Sequence, residues 1–130
     1  MAFLLAHVAY TVLFTGILLR SDMPVPIEKT ILVLCGVPTL TGLMLLRVWG
    51  RLGVLKAPAT LYTVAIMGMF LSGWLLPPTY WQACFGALLF VVSDAALAEQ
   101  LFGKRRLPFH SQIIWWTYIL GQSLILAGFA

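Results

Sequence analysis

Five long apolar stretches follow one another along the chain, separated by short connections that carry prolines or basic residues. An α-helix needs about 20 mainly apolar residues to cross a bilayer. Only helices and closed barrels satisfy their backbone hydrogen bonds inside lipid. Because the apolar runs are unbroken, whereas barrel strands alternate in segments of about ten residues, helices are favoured over strands. The pattern therefore predicts an all-α, polytopic membrane bundle of about five transmembrane helices.

The breaks between the apolar stretches define the predicted helices. The prolines of segments 24–26 and 77–78 end the first and third helices, since proline lacks an amide donor and clashes with the preceding turn. Pro38 lies inside the second apolar stretch, so we expect it to kink that helix. The predicted single membrane domain spans residues 1–130, with helices at 2–19, 27–49, 57–76, 80–102 and 111–130.

Composition supports a membrane protein and disfavours other classes. The 130 residues are 62% hydrophobic and 9% charged, against roughly 45–50% apolar and about 25% charged in soluble domains. The net charge of +4 lies in or beside the short connections and forms no basic face, so no nucleic-acid partner is expected. Cys35 and Cys84 are far apart and lack metal-ligand spacing, which predicts two buried thiols and neither metal nor other cofactor.

The basic residues also predict an orientation, because cytoplasmic loops are enriched in Lys and Arg. Two connections on one side contain Arg47, Arg51, Lys56, Lys104, Arg105 and Arg106, whereas the opposite side has only Arg20 and Lys29. The N-terminus and loops 50–56 and 103–110 are therefore predicted to be cytoplasmic and the C-terminus outside. Residues 104–106 also suit weak contact with lipid phosphates, although the orientation bias alone accounts for them.

Asp94 is the candidate functional centre. It lies about eight residues before the end of the fourth helix, where a carboxylate is costly and usually faces the protein interior. Burial favours the protonated acid, which is the form that a general acid requires. The alternative is a carboxyl that only bonds a neighbouring helix. Glu99 is about 140° further round the helix, so we interpret it as a solvated charge near the cytoplasmic end.

Other polar side chains inside the apolar stretches form a second group of candidates. Tyr118 and Gln122 share a face of the fifth helix, either as a polar pocket facing Asp94 or as ordinary interhelical hydrogen-bond partners. His7 and Tyr10 share a face of the first helix, and Tyr62 lies in the third. His110 is expected before the fifth helix, in the headgroup region, which argues against haem held by two histidines.

Four sequence motifs contain these polar residues. GALLFVVSDAALA contains Ser93 and Asp94, and WTYILGQSLILAG contains Tyr118 and Gln122. LLAHVAYTVLF supplies His7 and Tyr10, and LYTVAIMGMF supplies Tyr62. Together they resemble the C-terminal, five-span portion of the lysoplasmalogenase (YhhN) membrane family. The resemblance covers nearly the whole chain.

The resemblance implies hydrolysis of the vinyl ether bond of a lyso-ether phospholipid, giving a fatty aldehyde and a glycerophospho-ethanolamine or -choline. It implies Asp94 as the catalytic residue and His7, Tyr10, Tyr62, Ser93, Tyr118 and Gln122 as the substrate pocket. Members of the family have about eight spans and a second intramembrane aspartate in an earlier span. The other aspartate of this sequence, Asp22, lies in a connection, so we expect a missing N-terminal segment or a second copy to supply the partner, and weak or no activity from this chain alone.

Three functions remain open at this stage. The first is an enzyme, or part of one, that acts on lyso-ether phospholipids through Asp94. The second is a lipid-binding or assembly module without catalysis. The third is a small transporter subunit in which Asp94 carries protons, although no internal repeat of the kind that builds transporters is visible in the sequence.

Overall fold

The fold is an all-α bundle, as the sequence predicts. The computed structural model describes residues 2–103 and 108–130, and these contain five α-helices and no strand. The helices are α1 (Ala2–Arg20), α2 (Ile27–Trp49), α3 (Lys56–Leu75), α4 (Trp81–Phe102) and α5 (His110–Ala127). Short 3-10 turns, Gly53–Leu55 and Pro78–Tyr80, precede α3 and α4.

The observed bounds differ from the predicted ones by a few residues at several ends. The fourth helix begins at Trp81 because Pro78–Tyr80 forms a 3-10 turn. The fifth begins at His110, which is buried rather than placed before the helix as predicted. It ends at Ala127, where the Gly128 amide bonds the carbonyls of the last turn. The second helix continues through Pro38 without a break.

The third helix is the centre of the bundle. It packs against α1, α2 and α4, and α4 in turn packs along α5. The buried core between these helices is built from large apolar side chains, with Phe14, Met69, Leu76, Phe90 and Ile125 almost fully enclosed. The bundle therefore has one continuous apolar core, with α2 and α5 on its outer flanks.

Large apolar side chains also cover the outside of the bundle. Leu19 and Leu32 are 82% and 68% exposed, which is stable when lipid is the solvent. By length and composition, three helical segments of the described chain are able to cross a membrane: 27–49, 53–75 and 78–102. Cys35, predicted to be buried, is exposed on α2, because a bundle this small leaves one face of each flanking helix without a protein neighbour.

Side chains tie the connections together at the two ends of the bundle. At one end, the Lys29 ammonium donates to the Leu76 carbonyl at 3.2 Å, joining the start of α2 to the end of α3. At the other end, the Arg51 guanidinium donates to the Phe102 carbonyl at 2.6 Å, joining the region after α2 to the end of α4. The side of the membrane that each end faces stays a prediction.

The closest helix pair depends on two glycines. A Cβ atom placed on Gly86 of α4 would lie 2.6 Å from the Gly121 carbonyl oxygen and 2.9 Å from the Ile125 amide nitrogen of α5. Both neighbours are backbone atoms and cannot rotate away. Gly86 therefore permits the close approach of α4 and α5, as small residues do in membrane helix pairs.

We predict that Gly86→Ala separates α4 from α5 and lowers the free energy of unfolding by about 1–3 kcal/mol, the usual cost of overpacking. The measurement is unfolding in detergent micelles, followed by tryptophan fluorescence. Gly16→Ala is the matched control, because nothing lies within 4 Å of a Cβ at that position. Equal stability of the two variants would contradict the role of Gly86.

Candidate active site

The Asp94 carboxyl joins three helices. One of its oxygens, Oδ1, accepts a hydrogen bond from the Tyr62 hydroxyl of α3 at 2.9 Å. The other, Oδ2, lies 3.1 Å from His7 Nε2 of α1. The carboxyl side chain is 11% exposed and the His7 side chain 0%. Both oxygens are therefore held by side chains from other helices, which removes much of the cost of burying a carboxyl in an apolar interior.

The His7 ring is enclosed by aromatic side chains. It meets the Tyr62 ring edge to face, with centroids 5.3 Å apart, and the Phe90 ring in the same way at 5.5 Å. Such edge contacts fix the plane of a ring as well as burying it. Phe90 also contacts Tyr10 and Tyr118. His7 is thus oriented so that one ring nitrogen faces Asp94.

Gln122 organises a second polar group on the other side of Phe90. The Tyr10 hydroxyl of α1 donates to Gln122 Oε1, and Gln122 Nε2 donates to the Tyr118 hydroxyl at 3.3 Å. Tyr118 and Gln122 share one face of α5, as the sequence predicts, and the structure shows the interhelical hydrogen bond rather than a pocket facing Asp94. Gln122 is bonded across the bundle to Tyr10, so α1 supplies one residue to each polar group.

An apolar cavity of about 280 Å³ reaches Asp94 between α2, α3 and α4. Asp94 and Tyr62 line it, and its remaining walls are mainly aliphatic, including Met44, Val48 and Leu97. A cavity with apolar walls and a single carboxyl is suited to the chain of an amphiphile with its reactive group beside that carboxyl. Asp94 is therefore accessible to a lipid-like ligand on one side and held by His7 on the other.

The remaining predicted site residues lie elsewhere. The Ser93 hydroxyl donates to the Ile114 carbonyl of α5 at 3.1 Å and is buried between α4 and α5. Among the described residues, Ser93 is not part of the cavity wall. Of the side chains predicted for the substrate pocket, four others do not line the cavity at Asp94: His7, Tyr10, Tyr118 and Gln122. Lys104, Arg105 and Arg106, predicted to contact headgroups, lie outside the described residues.

The described part of the chain contains no group of three or more His, Cys, Asp or Glu side chains that could hold a metal ion.

The interpretation of Glu99 as a solvated charge is wrong. Its carboxyl forms a two-pronged ion pair with the Arg47 guanidinium of α2, with Nε–Oε2 3.1 Å and Nη2–Oε1 3.2 Å. The Glu99 side chain is only 18% exposed. Sequence spacing does not reveal this pair, because it depends on which faces of α2 and α4 meet.

The contribution of α2 to the cavity was also absent from the predicted site. Thr41, Met44 and Val48 line the cavity, and their spacing of three and four residues places them on one face of a helix. This spacing is the sequence signal that could have indicated a cavity-lining face on α2. It does not stand out, because the opposite face of α2 is equally apolar.

The fold and this site define a class: a helical membrane protein with a hydrogen-bonded carboxyl at an apolar cavity. A model of the YhhN family matches residues 1–129, and the chain belongs to that family. It is 32% identical over 134 aligned positions to proteins named lysoplasmalogenase from Mycobacterium bovis and Mycobacterium tuberculosis, covering 98% of this chain and 48% of each relative. The chain thus spans about half the length of these curated relatives. No solved structure matches it.

We predict that Tyr62→Phe destabilises the bundle by about 1–3 kcal/mol, because Asp94 Oδ1 loses its donor inside the bundle. Thermal unfolding in detergent measures this loss. Tyr80→Phe is the control: the Tyr80 ring packs on Phe129, and no hydrogen bond of its hydroxyl is found within the described segments. Equal losses in the two variants would show that the Tyr62 hydroxyl contributes nothing through Asp94.

Proposed function

We propose that this chain is a lysoplasmalogenase-like hydrolase that cleaves the vinyl ether bond of lyso-ether phospholipids, with Asp94 as its general acid. The observation that carries the proposal is a carboxyl bonded to His7 and Tyr62 on the wall of an apolar cavity. Membership of the YhhN family and the similarity to proteins named lysoplasmalogenase support the substrate class.

In the first step, the Asp94 carboxyl donates its proton to the outer vinyl carbon, which is the one that does not bear the ether oxygen. The electron pair of the double bond forms the new C–H bond, and the inner carbon, which bears the oxygen, becomes part of an oxocarbenium ion. The Asp94 carboxylate left behind keeps its hydrogen bonds to Tyr62 and His7. It also faces the positive charge inside an apolar cavity, where such an attraction is stronger than in water.

In the second step, water attacks the inner carbon and forms a C–O bond, and the Asp94 carboxylate takes the released proton. A carboxyl that serves first as acid and then as base has a parallel in retaining glycosidases. The hemiacetal then collapses. Its hydroxyl group loses a proton and becomes the aldehyde carbonyl, the bond to the glyceryl oxygen breaks, and that oxygen takes up a proton. The products are a fatty aldehyde and a glycerophospho-ethanolamine or -choline.

His7 and Tyr62 act in this scheme by holding the carboxyl. The contact between His7 Nε2 and Asp94 Oδ2 allows a proton to be shared between the two groups during the change from acid to base. Tyr62 donates to the other oxygen and keeps the carboxyl facing the cavity. Both are positioning residues, because the proton that reaches substrate comes from Asp94.

A second candidate function is a lipid-binding module without turnover. It is favoured by the positions of the other three acidic residues of the chain. Asp22 lies in the connection between α1 and α2, Glu28 lies in the first turn of α2, and Glu99 is paired with Arg47. None of them supplies a second carboxyl beside Asp94. For this reason we expect slow turnover at most from this chain by itself.

We predict that the purified 130-residue chain releases fatty aldehyde from a lyso-ether phospholipid slowly or not at all, and that Asp94→Asn abolishes any release. An aldehyde-coupled reductase assay in detergent measures the rate. Asp22→Asn is the control, because Asp22 is exposed and its loss should leave the rate unchanged.

Three results distinguish the alternatives. Release that persists in Asp94→Asn would contradict the role of this carboxyl. Rapid release by the unaltered chain would contradict the need for a second carboxyl. Absence of release together with saturable binding of the lipid would support the lipid-binding module.

A further inference from the structure

Three cations lie next to one part of the cavity: Arg47, Arg51 and Lys56 do not line it themselves, but their chain neighbours Val48, Leu52 and Leu55 do. Arg47 bridges α2 to Glu99 of α4, and Arg51 donates to the Phe102 carbonyl at the end of α4. Lys56 lies over the Trp49 ring at 5.2 Å. Each of these contacts joins or orders segments at the same end of the bundle. Glu99 is the acidic residue among them.

The ion pair of Arg47 and Glu99 leaves part of the guanidinium available. Glu99 engages Nε and one N–H of Nη2, whereas a guanidinium has five N–H donors. The donors on Nη1 remain, and the Arg47 side chain is 62% exposed. Glu99 therefore fixes the direction of Arg47 without using its full capacity. A fixed guanidinium fork is suited to the two-pronged binding of a phosphate.

The position of this guanidinium relative to Asp94 suggests what it binds. The cavity extends along α4 from Phe102 past Asp94 to Val91, so Asp94 lies within it and not at its mouth. Glu99 is five residues from Asp94, which corresponds to about 7.5 Å along the helix axis and about 140° round it. In a lyso-ether phospholipid, three glycerol carbons with an oxygen at each end separate the phosphorus from the vinyl group. An extended chain of this kind covers about the axial part of this separation, and the long Arg47 side chain, 62% exposed, covers the sideways part.

The geometry points to a headgroup site at the mouth of the cavity, in which Arg47, oriented by Glu99, binds the phosphate of a glycerophospholipid whose ether bond lies at Asp94. Arg51 adds positive charge at the same end. The hydrocarbon chain then continues past Asp94 along the aliphatic wall toward Val91 and Ile66. This inference rests on the proposed function for its substrate class, but it concerns binding and not turnover.

The test measures binding with ligands that the proposed reaction cannot consume. The probes are a saturated alkyl ether of glycerophosphoethanolamine and the matching alkylglycerol, which has the same chain and lacks the phosphate. Affinities are measured by microscale thermophoresis in micelles of a neutral detergent. We expect the unaltered protein to prefer the phosphate-bearing ether and Arg47→Gln to weaken its binding by about tenfold, the loss of one charge-assisted contact. Binding of the alkylglycerol should not change.

Two further variants separate a headgroup site from a purely structural ion pair. Arg47→Gln and Glu99→Gln both break the pair, but only the first removes the cation. We expect Glu99→Gln to weaken the binding of the phosphate-bearing ether less than Arg47→Gln does, because the cation remains and only its orientation is lost. Arg20→Gln is the matched control, because it also removes one positive charge. Arg20 is exposed at the end of α1, at the opposite end of the bundle from Arg47, so this change should leave both affinities unchanged.

Equal affinity of the unaltered protein for the two ethers would overturn the headgroup site, as would equal weakening by Arg47→Gln and Glu99→Gln. These outcomes are independent of catalysis. A preference for phosphate that depends on Arg47, in a protein that releases no aldehyde, would support both the headgroup site and the lipid-binding module.

Discussion

Burial of the Asp94 carboxyl in a bundle surrounded by lipid is the constraint on which the rest of the structure depends. A carboxyl placed there must find donors within the protein, because the bilayer core provides none. Tyr62 and His7 meet this need at 2.9 and 3.1 Å, and they come from α3 and α1. Three helices are therefore held together at one point, and the aromatic side chains around His7 pack outward from it.

The same carboxyl divides the bundle into two chemically different sides. On the side of α1 and α5, Tyr10, Tyr118 and Gln122 form a hydrogen-bonded group around Phe90. On the side of α2 and α3 lies an apolar cavity with Tyr62 and Asp94 on its wall. An amphiphile that enters this cavity meets a proton donor whose other contacts are already satisfied. The acid catalysis that we propose rests on that arrangement.

Close packing and charge support the site from a distance. Gly86 allows α4 to approach α5 closely enough that a methyl group at that position would meet backbone atoms. The Arg47–Glu99 pair and the bond from Arg51 to Phe102 connect the α2 region with the end of α4, beside the cavity. In the relatives named lysoplasmalogenase, the region that aligns with this chain is about half of the protein.

The sequence by itself determined the helical class, the approximate bounds of the five helices and the identity of Asp94, Tyr118 and Gln122 as the polar residues of interest. These follow from local rules, since apolar length, proline breaks and the cost of a buried carboxyl need no knowledge of neighbours. Only the tertiary structure decided that His7 meets Asp94, that Tyr10 meets Gln122 and that Arg47 meets Glu99. Each pair joins residues of different helices. Helices that are apolar on every face carry little information about which face meets which, so these partnerships emerge only when the whole bundle packs.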